Sequence, residues 1–170
     1  MADINRTETD AKGQLFDQIA QIKAGMLGVE GSGQHFQPMA PYADRDAGEI
    51  WFITSRDTDL AKAVVPGAKA HFTFIGEDRD YWACTMGEIS QVEDREKLDE
   101  LWNHMAAAWF AGGKDNPKIT LLKLSLQSAE IWSATTNPLV FGLEIAMSNL
   151  REEKTPDIGE HTTVAWRMAA

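Results

Sequence analysis

The feature that most constrains the fold of this chain is a succession of apolar runs separated by short groups of turn-forming residues. The runs lie at Met26–Glu30, Phe36–Ala43, Glu49–Ser55, Ala68–Gly76, Tyr81–Val92 and Ile119–Ala134. Groups such as Gly31-Ser32-Gly33 and Asp78-Arg79-Asp80 stand between them and favour tight turns. Parallel crossovers need about a dozen residues or more, so strands joined this closely predict a mainly antiparallel sheet.

Helical spacing of apolar residues appears at both ends of this series. An N-terminal helix is predicted from Thr7 to Ile22, and Gly25 is expected to end it. A C-terminal helix is predicted to begin at Asn137 and Pro138, which suit the N-cap and the first helical position. The apolar face of this second helix consists of Leu139, Leu143, Met147 and Leu150. A charged tail follows, with a last short strand at His161–Arg167.

Two further helical segments interrupt the strands. The first is a short piece from Thr58 to Val65, and the second is an insertion of about residues 94–112, with Asp94 as its N-cap and Gly112-Gly113 as its stop. The apolar stripe of the insertion contains Leu98, Leu101, Trp102, Met105 and Trp109. No repeat or long linker divides the chain, so residues 1–170 are expected to form one α+β domain, a β-barrel decorated with helices.

Charge and composition exclude several classes of partner. The chain has 26 acidic and 16 basic residues, a net charge of −10, and no cluster of Lys and Arg, so nucleic acid and anionic membranes are not expected partners. No stretch approaches the roughly 20 apolar residues of a membrane-spanning helix. Met1–Thr9 does not resemble a signal peptide, and Cys84 is the only cysteine. These features predict a cytoplasmic protein.

Metal and hydrolase chemistry lack their usual sequence signs. The four histidines are His35, His71, His104 and His161, and none has the i,i+4 partner of a helical zinc site. No G-x-S-x-G elbow is present, and Cys84 has no local signature of a nucleophile. No metal is therefore predicted, and the catalytic residues stay unassigned.

The most informative segment is a strand that runs directly into a helix start. Trp51-Phe52-Ile53-Thr54-Ser55 is followed by Arg56, and Thr58 can cap the next helix. A helix start offers free N–H groups and partial positive charge, which suit a phosphate. Lys62 lies one turn further along, and Arg56 offers a fork of donors to the same anion.

Each of these features also has a plainer structural explanation. A capped helix with solvated charges has the same pattern, and Asp57 and Asp59 oppose an anion unless they are turned away. Trp132 lies near the end of a strand, where its face suits a flat cofactor, but packing in the core explains it as well. Trp102 and Trp109 lie on the amphipathic stripe and are predicted to pack in the core.

Six segments, taken in order, connect the chain to a known family. They are Glu49–Lys62, Asp80–Gly87, Leu101-Trp102-Asn103, Ala108-Trp109-Phe110, Gly112–Pro117 and Glu130-Ile131-Trp132. Their order and spacing resemble the general stress protein 26 group of flavin-binding split barrels, which are relatives of pyridoxamine 5′-phosphate oxidase. The resemblance covers most of residues 10–135.

This resemblance implies an antiparallel split β-barrel of the FMN-binding type and a homodimer with two flavin sites at the subunit interface. The isoalloxazine ring would lie against the backbone of Trp51–Ser55, and the phosphate near Arg56, Thr58 and Lys62. A tryptophan that matches Trp132 would come from the second subunit. FMN is the implied cofactor, and FAD is less expected because the site suits a single phosphate.

The chain departs from the oxidases of this family at one motif. The oxidases carry Ser-Arg-Lys four to six residues beyond the threonine that matches Thr54, whereas this chain has Thr58-Asp59-Leu60, with Lys62 displaced by two. The basic groups that would grip a second phosphorylated ligand are not evident. True pyridoxamine-phosphate oxidase activity is therefore not expected.

Three functions stay open from the sequence. The first is a flavin-dependent oxidoreductase of stress-protein type that acts on an unidentified small substrate, with the cofactor supplying the electron transfer. The second is a flavin-binding protein for storage or sensing, without turnover, which fits the few basic groups of the site. The third uses the same barrel for haem or a deazaflavin, with His35 or His71 as axial ligand.

Overall fold

The computed structural model describes residues 2–135, 139, 145–147 and 158–166. The strands are β1 (Gly25–Val29), β2 (Gln37–Met39), β3 (Tyr42–Asp44), β4 (Glu49–Ser55), β5 (Lys69–Ile75), β6 (Tyr81–Val92), β7 (Ile119–Ala134) and β8 (Gly159–Ala165). The helices are α1 (Ile4–Thr9), α2 (Ala11–Gln21), α3 (Asp59–Ala63), α4 (Arg95–Leu101) and α5 (His104–Trp109), followed by a 3₁₀ turn at Gly113–Asp115. The predicted start of a helix at Asn137 and Pro138, with Leu143 and Leu150, lies outside the described residues.

The strands form one antiparallel sheet in the order β2-β1-β5-β6-β7-β4-β3, and β8 pairs with the C-terminal half of β7. β7 is the central strand. Its residues Ile119–Ser125 pair with β4, its residues Ser128–Ala134 pair with β8, and β6 follows it on the other side. A bulge between Met86 and Gly87 bends β6. The predicted class, mainly antiparallel β with helices, is confirmed.

The sheet is strongly curled around its core. Phe52 of β4 and Phe72 of β5 have ring centroids 5.2 Å apart, although β6 and β7 lie between their strands in the sheet. Only a sheet that bends round on itself brings these rings together. Both side chains are fully buried, and each contributes about 1.5–3 kcal/mol through the burial of apolar surface. The core at the centre of the half-barrel is therefore shared by strands that lie on opposite sides of β6 and β7 in the sheet order.

One end of the barrel is closed by the first two helices. Leu15, Phe16 and Ile19 of α2 pack into the core. The prediction of a single helix from Thr7 to Ile22 is wrong, because the chain breaks at Asp10. The Asp10 carboxylate accepts a hydrogen bond from the Gly13 N–H at 3.1 Å and caps α2, a role that aspartate favours over the helix interior.

Two connections also differ from the sequence prediction. α2 ends at Gln21, so Gly25 is the first residue of β1 and not the helix stop. The run Phe36–Ala43 was expected to form one strand, but it divides into β2 and β3, which lie at opposite edges of the sheet. Pro41 stands between them and has no backbone N–H to continue a strand ladder.

The helical insertion begins as predicted but does not continue as one helix. The Asp94 carboxylate accepts from the Lys97 N–H at 2.9 Å, so the predicted N-cap is confirmed. The helix then ends at Leu101, and Asn103 Oδ1 accepts from the Ala106 N–H at 3.0 Å to start α5. Leu98, Leu101 and Trp102 still pack against the cluster around Trp51, so the prediction that Trp102 packs against the body of the protein is confirmed. Trp109 is 83% exposed, so the prediction that it packs in the core is wrong.

Candidate functional site

The side chains of β4 alternate between two apolar clusters. Ile50 and Phe52 point into the barrel core. Trp51 packs on the outer side against Leu98 of α4 and Leu121 of β7. The ammonium groups of Lys97 and Lys123 lie 5.4 and 5.7 Å from the centre of the Trp51 ring. These side chains are engaged in packing, so β4 can offer a ligand mainly its backbone.

The backbone of β4 has an open edge near its C-terminal end. β3 pairs only with Glu49–Trp51, which leaves Phe52–Ser55 without a strand partner on that side within the described residues. The Arg56 N–H donates to the Lys118 carbonyl oxygen on the β7 side at 2.8 Å. Backbone groups alternate in direction along a strand, so the N–H and C=O of Ile53 face the open edge. A flat ring that carries N–H and C=O groups at its edge could form hydrogen bonds with the Ile53 N–H and C=O there.

Hydroxyl groups gather where β4 ends and α3 begins. Thr58 Oγ1 donates to the Ser55 carbonyl oxygen at 2.8 Å and accepts from the Ala61 N–H at 3.2 Å, so the predicted cap is confirmed. Thr54 Oγ1 lies 3.5 Å from Thr58 Oγ1. Thr54 is buried, whereas Ser55 and Thr58 are half-buried. Three hydroxyls therefore lie together at the C-terminal end of β4.

Charges around α3 favour an anion more than the sequence alone indicated. Lys62 is exposed, and its ammonium forms no hydrogen bond or ion pair within the part of the chain that the structure describes. Asp57 forms an ion pair with Lys118 at 2.6 Å, and this hydrogen bond lowers the pKa of the Asp57 carboxyl. The negative charge of Asp57 is thereby offset. Because α3 has only five residues, Lys62 and not a helix dipole must supply the positive charge.

Arg56 is occupied by other groups. Its Nη1 donates to Glu93 at 2.8 Å, and its Nη2 donates to the Ile119 carbonyl oxygen at 3.2 Å. It lines a separate cavity of about 420 Å³, beside Arg95 and Lys114. The fork that was predicted to hold a phosphate is therefore engaged in this structure, and its assignment to a ligand stays a prediction.

Trp132 lies on the outer face of the sheet and does not pack in the core. It is 41% exposed, and one face of its ring stacks on His161, with centroids 5.0 Å apart and planes at 13°. His161 Nε2 in turn lies 2.6 Å from a Glu130 carboxylate oxygen. Trp132 lines an apolar pocket of about 550 Å³ together with Met26, Pro38, Thr73, Phe74, Ile75, Trp82 and Cys84.

The two parts of the predicted site are far apart within one chain. Thr54 of β4 pairs with Thr120 of β7, and Trp132 lies twelve residues further along the same strand. At roughly 3.3 Å per residue, this separation is about 40 Å along the strand. One copy of the chain therefore holds the hydroxyls and Lys62 at one place and Trp132 at another.

Glu30, His71 and Cys84 form a row on the outer face that was not predicted from the sequence. His71 Nε2 lies 2.8 Å from Glu30 Oε1, and His71 Nδ1 lies 3.6 Å from Cys84 Sγ. Alternation along β5 and β6 already indicated that His71 and Cys84 share a face, but only the strand register brings them together. Both ring nitrogens of His71 are engaged, so it presents no free nitrogen to a haem iron.

Within the described residues, no helix is both long and apolar enough to cross a membrane. None of the curated proteins matches the chain. A family model described as pyridoxamine 5′-phosphate oxidase like matches residues 10–157.

Several solved structures share the fold. A structure described as a putative general stress protein 26 from Jannaschia sp. CCS1 is 38% identical, with a TM-score of 0.77, over 93% of this chain and 99% of that one. The general stress FMN/FAD binding protein from Xanthomonas citri is 30% identical, with a TM-score of 0.66, over 75% of this chain and 90% of that one. The half-barrel, the order of its strands and the matched residues make this chain a member of the pyridoxamine 5′-phosphate oxidase-like family of split barrels.

Proposed function

We propose that two copies of this chain bind FMN at their interface and use it as a flavin-dependent oxidoreductase on a small substrate. The observation that carries the proposal is the exposed Lys62 of α3, a cation with no hydrogen bond or ion pair to its ammonium within the described residues, on the short helix that follows the open edge of β4. The relative from Xanthomonas citri is an FMN/FAD binding protein, which supports the choice of a flavin.

The residues at the end of β4 suit the two chemical ends of FMN. Lys62 offers one positive charge to a phosphate, and the hydroxyls of Thr54 and Ser55 offer two further donors. The hydroxyl proton of Thr58 is already donated to the Ser55 carbonyl oxygen. The open backbone at Ile53 offers one donor and one acceptor to the edge of the flavin ring. A single unpaired cation beside this edge fits the single phosphate of FMN better than the two phosphates of FAD.

The separation of Trp132 from β4 supports a homodimer. The outer face around Trp132 also exposes Met26, Ile75 and Trp82, at 41%, 55% and 37%. Exposed apolar side chains that adjoin one another are typical of a contact surface. A second copy seated on this face would bring its own Lys62 and β4 edge to Trp132. The site would then be complete only between two chains.

Bound FMN would supply the hydride or electron transfer. The chain would hold the phosphate through Lys62, orient the ring along the edge of β4, and cover it with the Trp132 face of the other copy. Arg56 is held by Glu93, so the basic groups needed for a second phosphorylated ligand are not free here. We therefore do not propose pyridoxamine-phosphate oxidase activity.

A second candidate is flavin binding without turnover, for storage or sensing. It is favoured by the absence of a titratable acid or base along Phe52–Ser55, which leaves the ring without a proton donor from its own strand. Stopped-flow mixing with NADH and NADPH under anaerobic conditions separates the two candidates. Loss of flavin absorbance supports the oxidoreductase, whereas a flavin that stays oxidised with every donor supports the binding protein.

Titration of the purified protein with FMN tests the binding site itself. Lys62→Ala should weaken FMN binding by about 10- to 100-fold, because it removes the charge opposite the phosphate. Lys23→Ala is the matched control, since Lys23 is also exposed but lies between α2 and β1, outside the proposed site. Equal affinities for the two variants would contradict the proposed phosphate site.

A further inference from the structure

The helix α5 belongs to the helical insertion and is not used by the proposed flavin site. Trp102 before it and Phe110 after it have ring centroids 6.1 Å apart, and both pack against the apolar cluster around Trp51. The side chain of Ile53, whose backbone faces the open edge of β4, packs against the same cluster. The chain therefore leaves this cluster at Trp102 and returns to it at Phe110, with α5 between them.

The start of α5 is fixed at the point where the open edge of β4 begins. Asn103 Nδ2 donates to the Tyr42 hydroxyl oxygen at 3.2 Å. Tyr42 is the residue of β3 that pairs with Trp51, and Phe52–Ser55 beyond it have no strand partner on that side within the described residues. The first residues of α5 therefore lie beside the last paired residue of β3.

The segment after α5 is fixed near the other end of the same stretch. Asn116 Nδ2 donates to the Ala111 carbonyl oxygen at 2.9 Å, and the Asn116 carbonyl oxygen accepts from the Ile119 N–H at 3.1 Å. Ile119 pairs with Ser55 of β4. The two attachments thus lie near opposite ends of the four open residues of β4, and α5 spans the length between them.

Trp109 ends α5 and points into solvent. It is 83% exposed, whereas Phe110, the next residue, is half-buried against the cluster that includes Ile53. Consecutive Cα atoms are about 3.8 Å apart, so the backbone of Trp109 lies close to this cluster. A large flat ring is therefore held near the open edge of β4 without a place in the core.

We propose that Trp109 stacks on the isoalloxazine ring of FMN bound at the open edge of β4 in the same chain. The inference rests on the proposed flavin site and adds a contact to the ring, whereas Lys62 would contact the phosphate. The electron-rich face of an indole suits a flat ring that carries carbonyl groups. Trp109 would thus position the cofactor from its own chain, and Trp132 would do so from the other copy.

The surroundings of Trp109 favour a flat ligand over a subunit contact. Its neighbours Ala107 and Ala108 are exposed and carry only methyl groups, so α5 presents one aromatic ring and little other apolar surface there. A stable interface needs several apolar side chains that adjoin one another, as they do around Trp132. A single exposed ring suits one stacked ligand better.

Titration with FMN and with riboflavin, which has the same ring but no phosphate, tests the inference. Trp109→Ala should weaken the binding of both flavins by a similar factor, about 5- to 50-fold, because it removes a stacked aromatic contact. Lys62→Ala should weaken the binding of FMN and leave that of riboflavin within about twofold, because riboflavin has no phosphate to lose. The two ligands thereby separate the ring contact from the phosphate contact.

The fluorescence of bound FMN gives a readout that a merely structural role of Trp109 would not change. An indole in close contact with an excited flavin donates an electron to it and quenches its emission. With FMN fully bound, Trp109→Ala should therefore raise the emission several-fold. Trp109→Phe keeps a flat ring that is a poor electron donor, so it should bind FMN within about threefold of the unchanged protein and still emit brightly.

His104→Ala is the matched control, because His104 is also exposed on α5 but lies at its other end, and both readouts should stay unchanged. Equal affinity and equal emission of Trp109→Ala and the unchanged protein would overturn the inference and leave the site at Lys62 standing. Dissociation of the Trp109→Ala dimer in the absence of flavin would also overturn it, since the ring would then belong to the subunit contact. Failure of the unchanged protein to bind either flavin would contradict the proposed function, and with it this inference.

Discussion

The two halves of β7 differ in what covers their outer face. Along the N-terminal half, Trp51 of the neighbouring strand is buried against Leu98 of α4 and Leu121. Along the C-terminal half, Trp132 points outward, is 41% exposed, and stacks one face of its ring on His161. Within the described residues, the outer side of β7 is thus covered by α4 at one end and leaves Trp132 partly exposed at the other.

The inner face of β7 shows no such difference. Leu122 and Leu124 in the first half and Ile131 in the second are all fully buried in the same core. The open half is therefore not a weak part of the barrel. An apolar outer surface that the core does not require indicates a contact with something outside the chain, and we propose a second copy.

The largest expected effect concerns the closed core. Phe52→Ala should lower the free energy of unfolding by about 3–5 kcal/mol, because it removes a fully buried ring that contacts Phe72 and leaves a cavity. Chemical denaturation measures this change. A loss below about 1 kcal/mol would mean that β4 and β5 do not close around a common core.

Removing the side chain that marks the open half should affect association and not folding. Trp132→Ala should weaken dimerisation by at least about 100-fold, which is about 2.7 kcal/mol, with less than about 1 kcal/mol change in the unfolding of the subunit. Trp109→Ala is the matched control, since Trp109 is 83% exposed on α5. Sedimentation equilibrium measures the dimer dissociation constant of both variants. Equal weakening of the dimer by the two substitutions would contradict the proposal that the outer face around Trp132 is the contact surface.

Acid should weaken the closed half through Asp44. Hydrogen bonds from the Ala47 N–H and from Lys97 lower the pKa of Asp44, and Lys97 also lies over Trp51. A lowered pKa means that this carboxylate stabilises the fold above about pH 4 and that the contribution is lost as the pH falls further. Asp44→Asn should therefore cost about 0.5–1 kcal/mol at pH 7.

Unfolding curves at pH 7 and at lower pH test this assignment. The difference in unfolding free energy between Asp44→Asn and the unchanged protein should shrink as the pH falls below about 4. Protonation of Asp44 then leaves the unchanged protein without this charge, as the substitution does in the variant. A difference that stays constant with pH would show that the Asp44 charge does not stabilise this half.

The smallest expected effect lies on the inner face beside the open half. Tyr81 pairs with Ser133 of β7, its ring is fully buried, and its hydroxyl has no hydrogen-bond partner within the described residues. Burial accordingly raises the pKa of Tyr81 well above its ordinary value. Tyr81→Phe should change the free energy of unfolding by less than about 1 kcal/mol, in the stabilising direction. A loss of more than about 2 kcal/mol in a thermal melt would show that the hydroxyl is satisfied by a buried partner.

Strands could be predicted from the sequence where turn-forming residues flank an apolar run on both sides. The bounds of β4, β6 and β7 are those that the sequence predicted. Periodicity failed where one residue stops an element whose apolar pattern continues. Asp10 and Asn103 cap new helices inside predicted ones, and Pro41 divides a predicted strand. Local capping chemistry outweighed the apolar stripe at these positions.

The candidate functional residues also fall into a group that could be predicted from the sequence and a group that could not. The end of β4 could be predicted because Thr54, Thr58 and Lys62 are close in sequence. The row of Glu30, His71 and Cys84 could not, because its members meet only through the register of three strands. That register depends on turns such as the one at Arg79, where the backbone has a φ of 60°. Nothing in the local sequence around Cys84 carries this information.

Mixing two defective variants tests whether one FMN site is built from residues of two copies. Lys62→Ala and Trp132→Ala are each expected to bind FMN poorly when assembled alone. After mixing equal amounts under conditions that exchange subunits, at a protein concentration well above the dissociation constants of all three dimers, half of the dimers should be hybrids. Each hybrid has one intact site, so about one quarter of the sites should bind FMN tightly again. No recovery of tight binding, in a mixture shown by mass spectrometry to contain hybrids, would contradict a shared site.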